Sequence, residues 1–216
     1  MTSTAGKVTG VNGNMVTVHV DGSVSMNEVA YIVTGGKRLK AEVIRISGDH
    51  VQTQVFEMTK GIRVGDPVEF SNEMLAVELG PGLLGKIYDG LQNPLPEVAA
   101  QTGYFLEPGI YLDALSRETL WHWTPVAKPG DERERADLLG TVPESSFVHQ
   151  VMVPFNIYGS CRVKSIKPAG TYHVNDEIAV LTDAEGKDHS VSMMFEWPVK
   201  RAIDCYAERL KPVEPM

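Results

Sequence analysis

The residues whose types and spacing could do chemistry are concentrated in Leu75–Leu91, LAVELGPGLLGKIYDGL. Gly80, Gly85 and Lys86 satisfy every position but the last of the phosphate-binding loop G-x-x-x-x-G-K-[ST]. Gly80, Gly82 and Gly85 also spell G-x-G-x-x-G, the dinucleotide fingerprint. In the first motif, backbone N–H groups cradle the phosphates and the final hydroxyl ligates Mg²⁺; Ile87 has no hydroxyl. Both motifs also need a helix after the last glycine, because its N-terminus holds the phosphates. Here Lys86-Ile87-Tyr88-Asp89 runs into Gly90, too soon for a packed helix. The glycines therefore read as structural. Gly80-Pro81-Gly82 is expected to turn the chain between strands at Leu75–Leu79 and Leu84–Tyr88, with proline presetting φ and glycine supplying φ > 0. Gly80, Gly85 and Lys86 are thus a decoy, and no nucleotide is expected there.

Other chemistry-bearing residues form no local signature. The histidines at 19, 50, 122, 149, 173 and 189 do not pair at ligand spacing, and there is no Cys-x-x-Cys, so no metal site is expected. Tyr158-Gly159-Ser160-Cys161 lacks the second glycine of a nucleophile elbow and carries no catalytic role. Trp121-His122-Trp123 on a strand would put both indoles on one face, which reads as core. No catalytic residue is expected in this chain.

The elements that must position these residues are mostly strands. Val16, Val18 and Val20 alternate with Thr17 and His19, the period of a half-buried strand, behind the hairpin turn Asn12-Gly13-Asn14. Leu39–Ile46, the turn Ser47-Gly48-Asp49-His50, Val51–Glu57 and Val68–Phe70 continue the rhythm and suggest a small barrel. In the second half, strands are expected at His149–Pro154, Cys161–Lys167, Glu177–Thr182 and Asp188–Trp197. Prolines 94, 96, 108, 125 and 129 break the chain between the halves, and a single short helix is expected around Ile110–Glu118. The alternating helices and strands of a doubly wound α/β core are missing.

Composition narrows the function classes. The chain has 216 residues, 43% hydrophobic, with 20 basic against 28 acidic side chains and a net charge of −8. That balance argues against a nucleic-acid partner, and Lys37-Arg38-Leu39-Lys40 reads as a solvated strand end. Met1–Gly10 has no charged-then-apolar leader pattern, and no apolar run reaches the about 20 residues that span a bilayer. A soluble, unexported protein with no direct membrane insertion is expected, with Cys161 and Cys205 as reduced core residues.

The wording of Leu75–Leu95 closely resembles the catalytic A (alpha) subunit of V-type and A/V-type rotary ATPases. So do Gly6–Val20, Asn27-Glu28-Val29-Ala30-Tyr31, Arg38–Ile46, Gln54-Val55-Phe56-Glu57 and Gly61–Phe70, in order and spacing. Leu139-Gly140-Thr141-Val142-Pro143-Glu144, Val151-Met152-Val153-Pro154 and Trp197-Pro198-Val199-Lys200 look like that family's second section, and Ala207–Met216 looks like its lead-in to the nucleotide-binding core. The resemblance implies a mainly β chain. A β-barrel is expected at 1–73, the first strands of the central domain at 74–95, and the A-subunit-specific, barrel-sandwich-like insertion (the bulge) at 96–190. Residues 191–216 return to the central domain. The family's P-loop, catalytic glutamate and Walker-B aspartate follow the residues that resemble Leu210–Met216. The resemblance therefore implies Mg-ATP chemistry coupled to proton or sodium transport for the parent subunit and no complete ATP site in these residues. It implies an alternating ring of A and B subunits, contacts with the peripheral stalk, and a cytoplasmic place in the soluble sector peripheral to the membrane. The exposed strands of 75–95 and 197–216 are expected to be loosely ordered or to pair between molecules.

One passage departs from the family pattern. Its Val-x-x-Gly-Asp repeat is here Ala127-Lys128-Pro129-Gly130-Asp131-Glu132-Arg133-Glu134-Arg135-Ala136-Asp137. The charge run suggests a solvated loop or a partner-facing patch in place of a hairpin. Two other readings stay open: a stand-alone interaction module, and a carrier or transferase domain using Lys187 at the turn Asp183–Lys187 or the Gly80–Lys86 loop.

Overall fold

A computed structural model describes residues 4–103 and 107–206. The strands in chain order are β1 (Ala5–Asn12), β2 (Met15–Val20), β3 (Glu28–Thr34), β4 (Lys37–Ser47), β5 (His50–Val55), β6 (Pro67–Met74) and β7 (Ala76–Leu79). After helix α1 (Leu95–Thr102) come β8 (Leu120–Pro125), β9 (Glu132–Arg133), β10 (Leu138–Glu144), β11 (Phe147–Met152) and β12 (Cys161–Ile166). The last are β13 (Gly170–His173), β14 (Glu177–Thr182), β15 (Asp188–Ser192) and β16 (Phe195–Pro198). The fold is mainly β, and the expected lead-in at Ala207–Met216 lies outside the described residues.

The chain divides into two compact units, one of Met1–Ala76, Asn93–Leu112 and Pro198–Lys200, the other of Val77–Gln92, Asp113–Trp197 and Arg201–Met216. In the first, six strands close a barrel in the order β1-β2-β5-β4-β3-β6, sealed by antiparallel pairing of β1 with β6. The alternation of β2 buries Val16, Val18 and Val20, which meet Ile32, Leu39, Val43, Val51 and Phe70 inside. A barrel this narrow is filled by its own side chains, here mostly branched aliphatics with Phe70, and the period-2 positions supply them.

The second unit has two four-stranded sheets, β11-β10-β8-β13 and β15-β14-β12-β9, around one core. Trp123 is fully buried there and Trp121 packs against the same core, so the indole pair on β8 is core as its alternation indicates. The large Trp123 ring lies directly on β10: a Cβ added to Gly140 would stand 2.2 Å from Trp123 Cη2 and 2.6 Å from the Thr124 carbonyl. Gly140 is therefore required by close approach.

Several expectations are corrected. The helix is not at 110–118 but at Leu95–Thr102, immediately after the supposed proline break. Prolines 94 and 96 occupy the cap and first turn, where a missing N–H costs nothing. Glu97 favours the first-turn dipole, and Gly103 ends the helix at φ 76°. Across 110–118 the backbone is held instead by side chains: Leu112 N–H donates to Asn93 Oδ1 and Leu115 N–H to Glu78 Oε2. Leu84–Tyr88 is a turn at Leu84-Gly85 and a single bridge residue at Tyr88, not a strand. Asp188–Trp197 is two strands, because Met193 turns into the core and separates β15 from β16. β7 and β16 are not left unpaired; they form a two-stranded sheet with each other.

The charge run 131–135 is also corrected: it is folded, not a solvated loop. β9 pairs with β12, with Arg133 opposite Cys161 and Glu132 opposite Arg162. Two matching turns flank it. Lys128 N–H donates to Asp131 Oδ2 (3.0 Å), and Glu134 N–H donates to Asp137 Oδ2 (2.8 Å). In each the aspartate N–H returns to the carbonyl three residues back, at 3.1 and 3.0 Å. The residue before the aspartate has positive φ in both: Gly130 at 93°, Ala136 at 69°. Arg63–Asp66 on the barrel repeats the arrangement with Gly65 at φ 96°. The two turns share one geometry, although the first has glycine and the second alanine at the positive-φ position.

Two stability predictions follow from these contacts. Ala136→Gly relieves a left-handed alanine and should raise unfolding free energy by roughly 1 kcal/mol, while Gly130→Ala should lower it by a similar amount. Gly140→Ala should cost about 1–3 kcal/mol by overpacking against Trp123. Urea denaturation at fixed pH reads both, and an Ala136→Gly midpoint at or below that of the parent chain would refute the first.

Candidate functional site

The motif glycines converge with residues that are distant in sequence, all within the second unit. Gly80 is buried, and a Cβ there would lie 2.9 Å from Met194 Cβ, 3.0 Å from Leu115 Cδ1 and 3.1 Å from the Met193 carbonyl. Its lack of a side chain serves packing. Gly82 sits at φ 106° with the Trp121 ring 3.1 Å from where its Cβ would be. Its N–H donates to Glu144 Oε1 at 2.7 Å. The amide that would face a phosphate in a phosphate-binding loop faces a resident carboxylate instead. Gly85 takes φ 75° in open space, and Lys86, exposed, closes a turn through its N–H to the Leu83 carbonyl. Turns follow Lys86, and the next helix begins at Leu95.

The base of this loop is clamped by Glu78 on β7. Its N–H donates to Gln92 Oε1 (2.7 Å), and Gln92 Nε2 donates back to its carbonyl (2.8 Å). Its carboxylate accepts the Leu115 N–H at 3.0 Å and pairs with the Arg117 guanidinium. Arg117 also reaches Asp113 Oδ2 at 3.3 Å and Met194 Sδ. Tyr88 Oη donates to the Ala114 carbonyl at 3.1 Å. Loop 80–92 is thus fastened at Gly82, at Tyr88 and at its base through Gln92.

Glu144 is the residue at this site that sequence reasoning missed. It closes the Leu139–Glu144 run, its side chain is 7% exposed, and its Oε2 lies 3.3 Å from His149 Nδ1 with no hydrogen-bond partner among the described residues. Burial holds the His149 imidazole below its ordinary pKa of 6.5, against the opposing pull of Glu144. A glutamate at the end of a strand gives no pattern that would have flagged it. Only the fold brings it 62 positions back to Gly82.

The remaining candidates are dispersed. Lys187 lies at the tip of the β14–β15 hairpin, where its N–H donates to Asp183 Oδ1. A hydrogen bond from His189 holds the Asp183 carboxyl below the usual range. His19 and His50 share the Asp49 carboxylate on the barrel at 3.1 and 2.7 Å. No group of three or more His, Cys, Asp or Glu among the described residues has the geometry to hold a metal ion. Cys161 is buried, Cys205 is half-buried, and both are free thiols.

The pinning of loop 80–92 is testable. Glu144→Ala orphans the Gly82 N–H and should cost about 1–3 kcal/mol of stability. Because the folded state depresses the His149 pKa, the native chain binds fewer protons there than the unfolded chain does. Stability from that group is complete above pH 6.5 and is lost as pH falls below it toward the folded value. His149→Gln should flatten the decline of the urea midpoint in that window, and an unchanged slope would refute this assignment.

Comparison with known proteins matches this architecture. A family model described as "ATP synthase alpha/beta family, beta-barrel domain" matches residues 8–72, and one described as "ATPsynthase alpha/beta subunit barrel-sandwich domain" matches residues 112–200. The "V-type ATP synthase alpha chain" of Treponema denticola is 64% identical over 216 residues, all of this chain and 37% of the relative. The "V-type ATP synthase alpha chain 1" of Treponema pallidum is 56% identical over the same span. The "V-type ATP synthase alpha chain" of Borrelia garinii is 54% identical over 213 residues, 99% of this chain. The chain thus spans little more than a third of the length of these relatives. With its closed barrel, its barrel-sandwich and whole-chain identity to V-type alpha chains, the chain belongs to the ATP synthase alpha/beta family.

Proposed function

We propose that these residues are the N-terminal part of the catalytic A (alpha) subunit of a V/A-type ATPase, which couples ATP hydrolysis or synthesis to proton or sodium transport. The observation that carries this is the collinear match of the whole chain, at up to 64% identity among the relatives named above, to proteins called V-type ATP synthase alpha chain. A stand-alone module is not favoured, since the match runs through the barrel, the barrel-sandwich and the segments between them. In this reading residues 74–95 and 191–216 belong to the central domain and residues 96–190 to the bulge. The barrel joins A and B subunits in the ring, and the bulge faces the peripheral stalk. No described helix is long and apolar enough to cross a membrane, in keeping with a place in the soluble sector peripheral to it.

The same reading gives these residues no ATP site. In the complete subunit, phosphoryl transfer needs Mg²⁺, a P-loop lysine and a water-positioning carboxylate. Loop 80–86 supplies none of them, and the Gly82 amide is already committed to Glu144. The purified chain should show no Mg-ATP turnover and no calorimetric ATP binding; turnover above a boiled control would overturn this. It should bind B and peripheral-stalk subunits in pull-down. Stalk binding that survives deletion of 110–190 would remove the role given to the bulge.

A further inference from the structure

The barrel carries a pocket that its strand framework does not require. A half-open cavity of ≈ 410 Å³ lies between the tip of the β3–β4 hairpin and the loop leading to β6. The Thr34 hydroxyl donates to the Gly61 carbonyl at 3.0 Å, which ties the two walls together. Lys37 comes from the hairpin, and Lys60 and Arg63 from the loop. Sequence reading placed Lys37 with Arg38 and Lys40 as a solvated strand end; the fold sets it beside two cations more than twenty positions away.

The charge balance in this pocket runs against that of the chain. Asp66, its one acidic lining residue, spends Oδ2 on the Arg63 backbone N–H at 2.8 Å. Lys37 reaches Glu107 at 3.4 Å, with both side chains about half exposed, so that pair is weak and easily exchanged. Neither Lys60 nor the Arg63 guanidinium has a carboxylate partner among the described residues. Three cationic residues line this one pocket in a chain of net charge −8. Met58 and Pro108 supply an apolar lining, and Met58 is 75% exposed, a large side chain left in water.

We propose that this pocket is a binding site for a small organic phosphate. The phosphate oxygens are held by Lys60, Lys37 and the planar fork of Arg63, and the apolar body of the ligand lies against Met58 and Pro108. A dianion suits a pocket lined by three cationic residues better than a lone carboxylate does. The volume falls in the range of about 300–1,000 Å³ typical of small-molecule sites. This inference goes beyond the subunit assignment and does not depend on it.

The test is an amide chemical-shift titration of the ¹⁵N-labelled chain with phenyl phosphate, inorganic phosphate and an Asp/Glu peptide as probes. The expected result is saturable shifts confined to the neighbourhood of Gly35, Gly61 and Arg63, with phenyl phosphate binding more tightly than inorganic phosphate. The double variant Lys60→Ala/Arg63→Ala should weaken phenyl phosphate binding about tenfold or more, through loss of two charge-assisted contacts. Lys187→Ala, on the β14–β15 turn, should not change it. Both altered barrel side chains are exposed, so an unchanged melting temperature confirms that the fold is kept. Non-saturating shifts, or shifts indifferent to the double variant, overturn the site. Saturation by the acidic peptide alone would assign the pocket to a protein partner and equally overturn it.

Discussion

Backbone N–H groups that the strand ladders leave unpaired must find acceptors, and in this chain side-chain carboxylates supply many of them. Glu28, almost fully buried, accepts the amides of Ser25 and Asn72, both at 2.8 Å. Glu57 takes the Gly109 amide and the Tyr111 hydroxyl, and Tyr111 Oη in turn accepts the Lys40 amide. Burial, with the Glu57 hydrogen bond second, drives that phenol's pKa far above its ordinary value, so it stays a donor. Glu78 takes the Leu115 amide and Glu144 the Gly82 amide. Hydrogen bonds to charged groups contribute roughly 1.5–3 kcal/mol each, and leaving a buried one unmade costs a similar amount. With one described helix and many connections, such staples set the paths of the loops. The excess of acidic over basic residues is in part the material for them.

The same economy explains why a near-complete phosphate-loop pattern occurs without the phosphate-loop geometry. A phosphate site uses glycine so that backbone amides can surround an anion. Here Gly80 is needed because Met193, Met194 and Leu115 leave no space for a Cβ, and Gly82 because its φ is 106° under the Trp121 ring. The anion its amide meets is part of the protein. A pattern counts residue types and cannot distinguish a glycine that admits a ligand from one that admits a neighbouring side chain.

The turns around β9 show the complementary case, in which the pattern is eroded and the geometry survives. The aspartate-to-amide bonds at 128–131 and 134–137 and the pairing of β9 with β12 fix the backbone, so Ala136 is carried into a left-handed conformation it would not choose alone. The charges that looked like a solvated run are then used in place. Arg133 bonds Asp131 at 2.8 Å, and Glu132 reaches Arg162 across the ladder at 3.6 Å.

What the sequence determined by itself was whatever depends on local periodicity and on long specific wording. The period-2 valines of β2, the glycine turns at 13 and 48 and the paired indoles of β8 gave strands and core because a strand's faces alternate residue by residue. The wording of Leu75–Leu95 and of the barrel gave the family. The tertiary structure decided everything that rests on contacts between distant positions. It started the helix at prolines that looked like breaks, and it left 110–118 without one, where Leu112 and Leu115 give their amides to Asn93 and Glu78. It brought Glu144 to Gly82 and set Lys60 and Arg63 beside Lys37. No local pattern encodes those meetings, since each is the outcome of sheet pairing and close packing satisfied over the whole chain at once.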